Sequence, residues 1–192
     1  MELPSGTLWA TCNVGASKPS ESGLYFQWGD TQGYTTGQIG SGSGKKKFAS
    51  DWSDYKWYSG GNFTKYIATG ATLNLEDDAA NANMGGDWQI PSSKQIDELI
   101  RNTINIWTTQ DGVNGRLFTS KKNPSKSIFI PAPGNAWDGS FKEIGRYCGI
   151  WSSMLSTSNV DNGQSFYFYN DVGPGMFNYG RFNGRSVRGV IG

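Results

Sequence analysis

Histidine is missing altogether from these 192 residues, and that absence excludes more than any residue present. Without an imidazole there is no Ser-His-Asp or Cys-His nucleophile system and no His-ligated metal centre. Only two cysteines occur, Cys12 and Cys148. They are too few for a four-thiolate zinc site, and are read either as one disulfide or as two buried free thiols. No run of about 18 apolar residues exists to cross a membrane. Charge of one sign is lacking too: 17 basic against 16 acidic residues leave +1, giving no nucleic-acid footprint and no membrane-binding patch. The one dense basic run, Lys45-Lys46-Lys47 behind Gly42-Ser43-Gly44, reads as a solvated loop tip, since no glycine or aromatic cradle follows it. The chain begins Met1-Glu2-Leu3-Pro4 and enters patterned structure at once, so no signal peptide is expected; such a chain works inside a larger particle or is cut from a longer one. No metal and no cofactor is expected.

What is abundant is glycine, at 27 residues, and aromatics, at 14% with eight tryptophans. That pairing suits a loop-rich domain of short strands, in which rings fill the core and glycines turn the corners. The length suits one domain, 1–192. Thr7 to Gly15 alternates like a half-buried strand, and Leu24 to Gly29 is a second strand candidate. From Thr31 to about Gly61 the pattern has no period and predicts a surface excursion pinned by Trp52, Tyr55, Trp57 and Tyr58. Two helices are predicted. One runs from Leu75 to Met84, capped by Asn74, with acids in its first turn and Gly85-Gly86 past its end. The other follows the Ser92/Gln95 capping box, with Ile96, Leu99 and Ile100 at helical spacing. After Asn102 only strands and turns are expected: 105–109, an Asp111-Gly112 turn, 115–120, 127–132, 149–153, 165–169 and 185–190. The class is therefore α+β, with few helices and short antiparallel strands.

Three candidate chemistries are weak. Glu76-Asp77-Asp78 lacks the alternating oxygen ligands of a calcium loop and reads as helix-end structure. Asp87 to Ser92 reads as a core junction between the helices, and Gly40 to Gly44 lacks the strand-before, helix-after setting of a phosphate loop. The C-terminal stretch differs in kind. From Gly149 to Gly184 there is no Lys and no Glu; Asn, Ser, Gly, Tyr, Phe and Asp stand instead, with one Arg. That is close to a paratope, where rigid rings supply area and small polar groups supply adaptable hydrogen bonds. In Phe166-Tyr167-Phe168-Tyr169 the period of two turns the phenylalanines inward and the tyrosines outward. Phe177, Tyr179, Arg181 and Phe182 lie among glycine and asparagine and read as surface groups. The expected ligand-binding residues are Leu155, Thr157, Asp161, Asn162, Tyr167, Tyr169, Asp171, Phe177, Asn178, Tyr179, Arg181 and Phe182, within a region 150–184. Replacing Tyr167, Tyr179 and Phe182 together by Ala is expected to abolish binding at little cost in stability.

Several phrases carry a family likeness, in order along nearly the whole chain. They are Gly6-Thr7-Leu8-Trp9-Ala10-Thr11-Cys12-Asn13-Val14-Gly15-Ala16, Tyr25-Phe26-Gln27-Trp28-Gly29-Asp30, Asp77-Asp78-Ala79-Ala80, Gly86-Asp87-Trp88-Gln89-Ile90-Pro91-Ser92, Gly149-Ile150-Trp151-Ser152-Ser153 and Gly184-Arg185-Ser186-Val187-Arg188. Together they resemble the Fibrobacter succinogenes major paralogous domain. The resemblance implies a C-type lectin-like fold, used by Bacteroidetes and their phages in surface and secreted proteins. Some members look like variable proteins of diversity-generating retroelements, in which adenine-directed copying rewrites AAY codons and never yields Lys, Glu, Gln, Trp or Met. Met154, Gln164 and Met176 depart from that rule and are expected to be fixed or to derive from other codons. The implied function is non-catalytic recognition of a protein or glycan on a cell surface, by an extracellular, cell-surface or virion protein without nucleic-acid binding or membrane insertion. A fixed-specificity carbohydrate-binding or adhesin module is the alternative. An enzyme related to the formylglycine-generating branch is disfavoured, since that chemistry resembles a close cysteine pair.

Overall fold

A computed structural model describes residues 2–192. Two short strands, β1 (Leu8–Trp9) and β2 (Tyr25–Phe26), precede a long excursion that ends in the small hairpin β3 (Tyr58–Ser59) and β4 (Asn62–Phe63). Helices α1 (Ala79–Met84) and α2 (Ser93–Asn102) follow. The remainder is β-structure: β5 (Thr103–Gln110), β6 (Val113–Ser120), β7 (Ser127–Pro131), β8 (Asn135–Trp137), β9 (Ser140–Lys142), β10 (Tyr147–Leu155), β11 (Asn162–Tyr169), β12 (Gly175–Gly180), β13 (Arg185–Ser186) and β14 (Val190–Ile191). This is the expected α+β arrangement, dominated by sheet.

Five strands form the central sheet, in the order β12-β11-β10-β13-β2, with β13 parallel to β10 and the other pairs antiparallel. A second sheet, β5-β6-β7, is antiparallel throughout. Its first turn is Asp111-Gly112 with φ of 51° and 79°, the two left-handed residues that a tight hairpin matching strand twist requires. Strands β1 and β14 pair, tying the two ends of the chain together.

The main core lies between α2, the three-stranded sheet and one face of the central sheet, where Ile96, Leu99, Phe118, Ile130, Ile150, Phe166 and Phe168 meet. Phe166 and Phe168 are inward, as their period of two requires. A second cluster gathers Trp28, Trp151, Leu155, Val187 and α1. There each indole satisfies its own polar handle: Trp28 Nε1 donates to the Ser152 carbonyl at 2.9 Å and Trp151 Nε1 to the Phe26 carbonyl at 2.8 Å.

Four expectations need correction. The helix predicted from Leu75 is split into a 3-10 turn, Leu75–Asp77, and α1. The break is Asp78, whose buried carboxylate accepts from Ala80 and Asn81 N–H as an N-cap and from Ile90 N–H, so it cannot also be helical itself. The strand read over Thr7–Gly15 is only two residues long. Beyond it, Ala10 and Val14 N–H bond singly to the carbonyls of Gly189 and Val187, without forming a ladder. The strand read over 185–190 is likewise two short pieces. Lys46 is no solvated tip: its side chain is tucked in, donating to Gln27 Oε1 at 2.9 Å and the Asp54 carbonyl at 2.7 Å.

The second helix forms as read, with Ser92 and Gln95 in a reciprocal capping box. The acidic triplet is structural, since Asp77 pairs with Lys65 at 2.5 Å and accepts from the Tyr66 hydroxyl at 2.6 Å. Both cysteines are free, and Cys148 is buried in the core of the central sheet.

Candidate recognition face

Strand register decides which of the expected residues meet. In the central sheet Tyr147 stands opposite Tyr169, Gly149 opposite Tyr167, and Trp151 opposite Ser165. Tyr167 then faces Gly175, Ser165 faces Phe177, and Gly163 faces Tyr179. All these positions share the face turned away from α2, and their rings form a closed circuit. Tyr147 lies 4.7 Å from Tyr169, centroid to centroid, and Tyr169 is 6.4 Å from Tyr167. Tyr167 is 6.3 Å from Phe177, Phe177 is 5.2 Å from Tyr179, and Tyr179 is 6.3 Å from Tyr147. The pairs are tilted or edge-on, the arrangement that ring quadrupoles favour. Phe177 is 59% exposed, Tyr167, Tyr169 and Tyr179 are half-buried, and Tyr147 is buried.

Arg185 is fully buried beneath this circuit. Its guanidinium carbon stands 3.6 Å from the centre of the Tyr179 ring, and Nη1 donates to the Tyr147 hydroxyl at 2.6 Å and to Ser165 Oγ at 3.3 Å. Only a glycine at 149 permits this: a Cβ there would come within 2.1 Å of Nη1. No carboxylate pairs with Arg185 among the described residues, and its Nε has no hydrogen-bond acceptor. Ring faces take the place of the missing anion. The guanidinium thus anchors Tyr179 and Tyr147 from below, so the outer rings stand on a rigid floor. Burial pushes the Tyr147 phenol up despite Arg185 beside it. It also lifts the Tyr169 phenol, to about 12, with the Glu143 carboxylate adding to the effect. Both phenols are therefore neutral near neutral pH, the Tyr147 oxygen accepting from Arg185 and the Tyr169 hydroxyl donating to Glu143 Oε2 at 3.2 Å.

The other expected contact residues scatter. Thr157 and Asp161 are exposed, and with the half-buried Asn162 they belong to the β10–β11 turn and the start of β11. Asp171 is exposed beyond the opposite end of β11, some seven residues or about 23 Å along the strand. Asn178 is exposed on the other face of β12, opposite Gln164. Two assignments are wrong. Leu155 is fully buried in the second core cluster. Arg181 is fully buried as well, its guanidinium 3.8 Å from the Phe63 ring centre and donating to the Tyr66 carbonyl at 3.1 Å. Phe182 is half-buried but lies apart from the other expected rings, packing edge-on against Trp52 at 4.9 Å beside Tyr55, Tyr58 and Phe63.

Sequence reading missed Tyr147, Gly149 and Arg185. Tyr147 sits just before the Lys-free stretch, and its signal was the same period of two that sorted Phe166 to Tyr169, carried back along β10. Arg185 left no such signal, because arginine is ordinarily a surface residue.

Burial pushes the Cys148 thiol up, against the pull of Arg188 and Arg185, which suits an inert core thiol rather than a nucleophile. Among the described residues no group of His, Cys, Asp and Glu could hold a metal ion. A groove of about 750 Å³ lies between the β5–β6 turn and the Ser20–Leu24 segment. Its carboxylates are already engaged, Asp111 by Ser20 at 2.9 Å and Glu21 by Ser17 N–H at 2.7 Å. Set against known proteins, the chain matches no family model, no curated protein and no solved structure.

Proposed function

We propose that this protein is a non-catalytic recognition module of C-type lectin-like fold that binds its ligand through the Tyr147–Tyr169–Tyr167–Phe177–Tyr179 face. The observation that carries this reading is the closed ring circuit with Phe177 at its exposed crest and a buried guanidinium as its floor. Rigid aromatic area presented at low entropic cost is what a binding surface needs. The ligand is a protein or glycan on a cell surface, met by an extracellular, cell-surface or virion protein.

The further proposal, that this face is a diversified region of a retroelement variable protein, draws support from where two of the three exceptional residues, Gln164 and Met176, lie. Gln164 bonds to Ser93 of α2 and to the Leu155 carbonyl, and Met176 packs on the core. Both stand on the sheet face opposite the rings, where a scaffold requires constancy. A fixed-specificity carbohydrate-binding or adhesin module is favoured by one feature, the adjoining tyrosine rings of the face, which suit stacking on sugar rings.

A Tyr167→Ala/Phe177→Ala double variant, compared with wild type on a glycan array and on intact bacterial cells, tests the site. Loss of all binding with an unchanged melting temperature is expected; full retention of binding would remove the face from the function. Sequencing the locus tests diversification. A nearby template repeat differing from the codons of about 151–188 mainly at adenines, beside a reverse transcriptase, is expected. Absence of both would sink the idea.

A further inference from the structure

The four outermost strand edges of the two sheets are not treated alike. At β2 the edge is covered, because Tyr25 and Tyr34 exchange backbone hydrogen bonds of 2.9 and 3.0 Å. At β7 it is guarded twice. Pro131 has no N–H to offer, and Arg188 Nη1 caps the Phe129 carbonyl at 3.1 Å. The β12 edge is six residues long with glycine at both ends. The β5 edge has no such protection. Its eight residues, Thr-Ile-Asn-Ile-Trp-Thr-Thr-Gln, contain no charge, no proline and no glycine.

The tight Asp111-Gly112 turn fixes which backbone groups of β5 are free. Gln110 and Val113 flank it as a hydrogen-bonded pair, so Gln110, Thr108, Ile106 and Ile104 bond to β6. The N–H and C=O groups of Asn105, Trp107 and Thr109 then point outward, and no described residue bonds to them. On the outer face Ile104 is 62% and Ile106 54% exposed, two apolar side chains in a row along this open edge.

We propose that β5 pairs antiparallel with β5 of a second copy, about a two-fold axis through Ile106. The strand is complementary to itself in that register. Asn105 meets the partner copy's Trp107 as a hydrogen-bonded pair, so both sets of outward groups are satisfied. Ile106 meets its own equivalent and Ile104 meets Thr108, which covers the exposed isoleucines. A strand without charge raises no repulsion against its copy, and a net charge of +1 opposes association only weakly. The result is a continuous six-stranded sheet across the dimer, with isologous geometry. Since one strand pair buries less than a standard interface, the dimer is weak, with Kd on the order of tens of micromolar.

Sedimentation of the wild-type chain from about 1 μM to about 500 μM, spanning that Kd, is the test. A concentration-dependent monomer–dimer equilibrium is expected, together with slower amide exchange at Asn105, Trp107 and Thr109 in the dimer. Ile106→Lys places two ammonium groups opposite each other at the axis. It should weaken the dimer at least about tenfold while leaving the melting temperature unchanged, because Ile106 is exposed in the monomer. Phe177→Ala, on the aromatic face, should leave the dimer intact. A wild-type chain that stays monomeric throughout overturns the proposal. So does a dimer that survives Ile106→Lys, or one that is lost in Phe177→Ala instead.

Discussion

Two aromatic clusters of this protein are built on arginines four residues apart, and their comparison separates scaffold from surface. Arg181 and Arg185 are both fully buried, both stack on rings, and neither has a carboxylate partner. Around Arg181 the rings come from distant segments, Trp28, Tyr55 and Phe63, and tie the long excursion to the central sheet. Around Arg185 they come from three neighbouring strands and open outward. The same cation–ring chemistry thus does two jobs. Both clusters keep part of their ring surface in solvent, since Trp52, Phe63 and Phe182 are half-buried just as Tyr167, Tyr169 and Tyr179 are; the difference is that the first set ties a separate segment to the sheet and the second ties none.

Each side of that comparison can be broken separately. Arg181→Ala should have the largest effect, a loss of about 3 kcal/mol, since it empties a ring-lined cavity and strips the Tyr66 carbonyl of its donor. Arg181→Met, which restores volume without the charge, should cost clearly less. Chemical denaturation measures both, and equal losses would mean that volume contributes little. Gly149→Ala comes next, at about 1–3 kcal/mol, because the new Cβ meets Arg185 Nη1. It should also displace Tyr179 and weaken ligand binding, although residue 149 itself is buried; unchanged binding would show that the floor does not position the rings. Phe177→Ala should shift stability by less than about 1 kcal/mol, as its ring is mostly exposed. A drop comparable with that of Arg181→Ala would make the outward rings structural rather than a binding surface. The smallest effect is titrimetric. Tyr169 ionises at about 12 in the folded chain, above the ordinary tyrosine value of about 10, so its contribution to stability is present below about pH 10 and is lost as pH rises towards 12. Glu143→Gln should bring that phenol down, as read by ultraviolet titration, because a neighbouring negative charge holds it up.

One earlier expectation changes with this comparison. Alanine at Tyr167, Tyr179 and Phe182 together would remove one outward ring, one that covers Arg185, and one packed on Trp52. Such a variant should lose stability as well as binding, which is why Tyr167 and Phe177 make the cleaner pair.

Where neighbours in sequence supply the driving force, the reading succeeded. The Ser92/Gln95 box, the Asp111-Gly112 turn and the inward–outward alternation of Phe166 to Tyr169 are each satisfied within a few residues, and each forms as expected. The helix from Leu75 failed because Asp78 answers to Ile90, twelve residues away. Arg181 and Arg185 failed for the same reason on a longer scale. Their burial depends on rings and carbonyls brought from residues 63–66 and 147–151, and local sequence cannot say that a cation will find enough π-face to leave water.

By itself, then, the sequence determined the sheet-rich α+β class, the exclusion of histidine chemistry, and which side of β11 turns outward, because composition and a period of two need no partner. Only the tertiary structure decided that Tyr147 and Arg185 complete the face while Leu155, Arg181 and Phe182 do not. Strand register and the crossing of the 50s excursion are long-range pairings, and they choose which of many similar rings come together.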